Sequence, residues 1–168
     1  MSEAIEAEQS FVDKFPDEAR IVRSAFLGSF LALVLGAIFG IIQTLHRTDV
    51  ARIIPSTDYY TVLTAHGVFL VISFTVFFLV GLFTWAIVRS LDRPLVNTKI
   101  TWTWYLIMSG GMTMTGISIL AGFVDSIDMS ADVLYTFYAP LQAHPLFYTG
   151  LAVFIVGSWI AGADWFRT

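Results

Sequence analysis

The sequence predicts an all-α membrane protein with four transmembrane helices, on three observations. Of its 168 residues, 57% are hydrophobic and only 13% are charged, about half the charged share of a soluble domain. The mean hydropathy is +0.75, so the chain lacks the solvated groups to cover a water-facing surface. Its charges are also clustered, and the clusters leave four long uncharged runs. The length fits one domain. There is no cysteine, which excludes disulfides, thiolate metal sites and thiol catalysis. A net charge of −4 argues against nucleic acid as a partner, since that needs a basic surface.

Residues 1–23 read as a polar leader. Glu3, Glu6, Glu8, Asp13, Asp17 and Glu18 exclude a cleavable signal peptide here. Phe11, Phe15 and Ile21 would let the leader lie along the membrane surface; full solvation is the alternative. Residues 24–168 form the membrane portion. The uncharged runs are 24–45, 59–88, 100–124 and 133–163. Pro140 and Pro145 interrupt the last, so its helix is expected at 146–163. A spanning helix needs roughly 17–25 mainly apolar residues, so each run suffices for one crossing.

Lys14, Arg20 and Arg23 precede helix 1, Arg89, Arg93 and Lys99 lie between helices 2 and 3, and Arg167 follows helix 4. The other side holds only Arg47 and Arg52, with Asp125, Asp128 and Asp132 in its second loop. Cytoplasmic loops carry the Lys/Arg excess, so both termini are expected in the cytoplasm and the 1–2 and 3–4 loops outside.

Helix 1 carries Ser24, Gly28, Ala32, Gly36 and Gly40 at intervals of four, which stacks them on one face. Helix 3 has Ser109, Gly110, Gly111, Thr113, Thr115, Gly116 and Ser118, and helix 4 has Gly150, Gly157 and Ala161. Small faces let helices approach closely; making room for a flat cofactor is the alternative reading.

Three histidines are candidates for chemistry. His46 reads as a solvated residue of the 1–2 loop. His144, before Pro145, either caps helix 4 or sits at headgroup level. His66 falls inside the second apolar run, about 10 Å along helix 2 at 1.5 Å per residue. An ionisable group at that depth is a functional candidate by default, with a packing role as the alternative. Neutral imidazole suits a buried metal, because it adds no charge to a low-dielectric site. Gly67 removes bulk beside it, and Phe69, Phe74, Phe77 and Phe78 offer aromatic surface. Those are the needs of a haem. No carboxylate pair, HExxH motif or phosphate-cradling glycine loop is apparent.

Four segments carry a resemblance, in order. They are Gly28, Leu31, Ala32 and Leu33; Gly36, Gly40, Gln43 and Leu45; Thr64-Ala65-His66-Gly67; and Val133-Leu134-Tyr135-Thr136-Phe137-Tyr138-Ala139-Pro140-Leu141. The chain resembles subunit I of haem–copper terminal oxidases from about residue 15 to residue 165, and most of all the B-type branch, cytochrome c oxidases with a b-type low-spin haem. The resemblance implies a bundle of twelve or more helices, of which these are the first four. It implies that His66 is an axial ligand of the low-spin haem. It puts Tyr135 and Tyr138 near the oxygen-reducing centre and its gas route, an aromatic belt at the interface being the alternative. The second axial histidine, the copper ligands, the active-site tyrosine and the high-spin haem ligand lie on later helices in the family. This segment is therefore expected to be one piece of a larger or split subunit, not catalytic alone.

The function implied is respiratory. Electrons pass through the low-spin haem to a haem–copper centre that reduces oxygen to water, coupled to proton translocation. The implied partners are the rest of subunit I, a subunit II that receives electrons, and cytochrome c or a small copper protein as donor. The implied location is the plasma membrane of a prokaryote. Two departures stand out. Tyr138-Ala139-Pro140-Leu141 has one proline where the family often has two, which loosens that segment. The loop at 92–97 is unlike the proton-uptake signature of mitochondrial-type oxidases, as a B-type chain would be. Alternatives are a nitric oxide reductase of the same superfamily, a stand-alone four-helix b-type cytochrome, and a packing protein without cofactor.

Overall fold

The computed structural model describes residues 11–48, 50–124, 126, 127, 129–134, 137 and 139–168. Four helices within it are long and apolar enough to cross a bilayer: α1 (Pro16–Arg47), α2 (Ser56–Leu91), α3 (Thr98–Ala121) and α4 (Pro145–Arg167). Among the described residues there is no strand, only an antiparallel bridge between Ala131 and Ala143. α1 packs mainly on α2 and α3 mainly on α4, and the two pairs meet through lesser contacts of α2 with α4, α2 with α3 and α1 with α3.

Local chemistry sets the helix ends. Pro16 occupies the first turn of α1, where its fixed φ and missing N–H cost nothing. Asp17 and Glu18 sit in that turn and His46 and Arg47 in the last, each matching the helix dipole. Asp92, with φ 51°, closes α2 in the left-handed conformation. Asn97 caps α3, its side chain accepting from Lys99 N at 2.9 Å. His144 caps α4, Nδ1 accepting from Leu146 N at 3.1 Å.

The helices overrun the uncharged runs at most of their ends. α1 begins at Pro16 rather than residue 24, so residues 16–23 belong to the helix instead of a polar leader. Phe11 and Phe15, in and just after a helical turn at 11–14, are buried with Ala19, Val88 and Leu95. Buried Glu18 accepts a hydrogen bond from Leu95 N at 3.1 Å, and Lys14 reaches Asp92 at 2.6 Å. α2 runs from residue 56 to 91, and α4 continues to Arg167, past the expected 163. α3 stops at Ala121, short of 124.

α2 is not uniform. An α-helical turn over Tyr59–Gly67 gives way to a π-helical stretch, Val68–Phe74, before α geometry resumes at Thr75–Leu91. Such wide turns are rare and often lie at functional sites. This one begins two residues after His66.

Candidate functional site

His66 turns toward α1, where two glycines receive it. Its Nδ1 lies 2.8 Å from the carbonyl oxygen of Gly36. A carbonyl only accepts, so Nδ1 carries the proton and the lone pair sits on Nε2. Among the described residues no group hydrogen-bonds Nε2. A Cβ at Gly40 would lie 2.7 Å from the imidazole Cε1 and Nδ1, and a Cβ at Gly36 would lie 2.6 Å from Leu70 Cγ. The small stripe of helix 1 is thus notched for side chains of α2, with His66 and Leu70 seated one turn apart.

His66 also lines an open groove of about 400 Å³ with Ala37, Gly40, Ile41, Gln43, Thr44 and Leu45. The Thr44 hydroxyl is tied back to Gly40 O at 2.8 Å, while the Gln43 amide has no hydrogen-bond partner among the described residues. An imidazole of fixed tautomer, a free Nε2 and an apolar slot opened by a missing Cβ fit an axial haem ligand.

The aromatic residues expected to wall this site do not line the groove. Phe69 is buried against Phe39, with ring centroids 6.2 Å apart, and Phe77 packs on Phe154 at 5.5 Å. Phe74 and Phe78 pack on each other, and Phe78 on Phe26. Aliphatic residues of α1 form the wall instead.

The other histidines stand apart. His46 belongs to the last turn of α1, not to a loop. Its ring lies 5.5 Å from that of Tyr59, and its Nδ1 is buried without a hydrogen-bond partner among the described residues. His144 is the α4 cap. Tyr135, Tyr138, Asp125 and Asp128 lie outside the described residues. Among the described residues no three His, Asp or Glu side chains converge.

Two polar clusters went unread in the sequence. On α2, Thr61 donates to Asp132, and Thr64 Oγ1 donates to Tyr60 O at 2.8 Å while accepting from Leu134 N at 2.9 Å. At the opposite end, Asp164 is 1% exposed. Its Oδ2 accepts from Thr101 Oγ1 at 2.9 Å and Trp104 Nε1 at 3.1 Å, and its Oδ1 has no partner among the described residues. The available signal for Asp164 was an acid one position beyond an uncharged run, flanked by helix-compatible residues.

Comparison with known proteins matches this chain to a family. The chain is 32% identical over 157 residues to cytochrome c oxidase subunit 1 of Thermus thermophilus, covering 89% of this chain and 26% of that protein. It is similar in structure, with a TM-score of 0.75 and 32% identity, to a chain of a heme-copper terminal oxidase dimer solved by cryo-EM, covering 88% of this chain and 26% of that one. The chain therefore spans about a quarter of the length of these relatives. Residues 20–168 match the family described as Cytochrome C and Quinol oxidase polypeptide I; the chain belongs to that family.

Proposed function

We propose that this chain supplies the first four helices of the catalytic subunit of a B-type respiratory terminal oxidase, and that His66 is an axial ligand of its low-spin haem. The observation that carries the reading is the bond between His66 Nδ1 and the Gly36 carbonyl, which leaves Nε2 as the donor atom for iron. Bound there, the haem supplies one-electron iron chemistry, passing electrons toward an oxygen-reducing haem–copper centre. The chain's own part is to position it. The Gly36 carbonyl fixes the tautomer and ring direction, Gly40 leaves the imidazole room, and Ala37, Ile41 and Leu45 keep the slot apolar.

The rest of subunit I, a subunit II, and cytochrome c or a small copper protein as donor complete this reading, with proton translocation as the coupled output. Thr64-Ala65-His66-Gly67 and the loop at 92–97 support the B-type branch. The seven-to-two distribution of Lys and Arg supports a cytoplasmic N-terminus in a prokaryotic plasma membrane.

In the full-length subunit, His66→Ala should abolish the low-spin haem spectrum and halt electron flow to the oxygen site, while His144→Ala leaves that spectrum intact. A low-spin signal surviving in His66→Ala would remove the assignment. The same signal lost in His144→Ala would favour a stand-alone cytochrome.

A further inference from the structure

The outer end of α2 is held on two faces. Residues 64 and 66 are roughly 200° apart around an α-helix, so Thr64 faces away from α1 while His66 faces it. Thr64 is fully buried and its hydroxyl is saturated, donating to Tyr60 O and accepting from Leu134 N. Thr61, about one turn earlier on the same face, donates to Asp132.

The segment that receives these bonds is itself anchored. Asp132 N donates to Gln142 O at 3.2 Å and His144 N to Ser130 O at 2.7 Å, and the side chains of Ala131 and Val133 are fully buried. Leu134 adopts a left-handed φ of 58°. A non-glycine residue keeps that conformation only when its surroundings over-determine it, and the Thr64 bond is part of that constraint. A continuous set of contacts thus runs from the α4 cap through residues 130–134 to Thr64, across α2 to His66, and on to Gly36 of α1.

We propose that Thr64, assisted by Thr61, is a positioning residue for the His66 imidazole, fixing the rotation of the outer turn of α2 from the face opposite the haem site. The proposal rests on the reading of His66 as a haem ligand. Without the Thr64 bond, the α3–α4 connection restrains the turn only through Thr61 and Asp132, and the Gly36 carbonyl is left as the main constraint on ring direction. Ligand-ring orientation governs the g anisotropy of a low-spin haem and contributes to its potential. Rotation of this turn therefore reads out without any measurement of oxygen reduction.

The test uses the full-length subunit in its assembled complex. Thr64→Val keeps shape and loses both hydroxyl bonds. It should shift the low-spin EPR g values and the haem midpoint potential, and speed low-spin haem loss in detergent about tenfold, the lower end of what losing a ligand-orienting partner costs. Thr64→Ser, which keeps both bonds, should restore all three. Asp132→Ala, which breaks only the Thr61 bond, should shift the g values less and in the same direction; it carries the test if Thr64→Val does not assemble. Wild-type g values, potential and haem retention in Thr64→Val would overturn the proposal. So would a serine variant that behaves like valine, or unchanged g values in Asp132→Ala when Thr64→Val does not assemble. Persistence of the low-spin signal in His66→Ala would instead remove the ligand reading on which it rests.

Discussion

The two helix pairs use glycine for different ends. Between α3 and α4, glycine lets backbone meet backbone. A Cβ at Gly111 would lie 2.6 Å from Gly150 O, one at Gly150 would lie 2.7 Å from Gly111 O, and one at Gly157 would lie 2.7 Å from Met108 N. Between α1 and α2, the obstacles to a Cβ are mostly side chains, the imidazole at Gly40 and Leu70 at Gly36, while at Gly28 the Phe77 ring, 3.8 Å away, would be in ordinary contact. Lipid tails are as apolar as leucine, so helices in a membrane associate by packing and interhelical hydrogen bonds. The α3–α4 seam takes both forms, adding Thr115 Oγ1 to Phe147 O at 3.3 Å and the Asp164 cluster. The α1–α2 seam opens two notches that admit an imidazole and a leucine, with the α2 backbone still close at Gly36, where a Cβ would lie 3.2 Å from Leu70 N. The first arrangement is a rigid support and the second is a receptacle.

The contrast can be broken most severely at the support. Gly150→Leu forces the α3 and α4 backbones apart and should cost about 3 kcal/mol or more, read as failed assembly or a large drop in thermal stability in detergent. A stable, normally assembled variant would mean the seam is looser than this. At the receptacle, Gly40→Leu should act differently. The groove is open, so the four helices should persist while the displaced imidazole loses the low-spin haem spectrum in the full-length subunit; retention of that spectrum would deny the notch its role.

Asp164 sharpens the comparison from the polar side. Asp164→Leu leaves the buried Trp104 indole N–H without its acceptor, at roughly 1–3 kcal/mol, while the Thr101 hydroxyl keeps Asn97 O at 3.1 Å. Asp164→Asn keeps an acceptor oxygen and should cost clearly less in the same thermal unfolding measurement. Equal losses would show that the cluster works through charge and not through hydrogen bonding. The smallest effect belongs to Gly110→Ala. Nothing lies within 4 Å of a Cβ there, so the change should stabilise α3 by about 0.5–1 kcal/mol through helix propensity alone. Destabilisation would reveal a neighbour on that face in the assembled protein.

The spans themselves were legible because apolar length is a local property. Four uncharged runs became α1, α2, α3 and α4 at nearly the expected positions, since no other regular backbone in a single segment satisfies its own hydrogen bonds in hydrocarbon. The place of His66 within α2 followed from the same count of residues. The errors came where a charged residue is covered by a distant one. Glu18 fell in the expected polar leader and Asp164 just beyond the last run, yet Leu95 N bonds the first and Thr101 and Trp104 bond the second. Burial of an acid depends on donors that no window around it contains.

The sequence by itself determined an all-α membrane chain, the small stripe of helix 1, and a histidine inside the second apolar run, because composition and helical period are carried within each segment. Only the tertiary structure decided what these features meet. It brought the Gly36 carbonyl to His66 Nδ1 across 30 positions and Leu134 N to Thr64 across 70. It also set Phe69, Phe74, Phe77 and Phe78 into the packing instead of the groove, and placed a π-helical stretch directly after the site. A tautomer depends on which atom faces the ring, and that is fixed by how helices turn against one another.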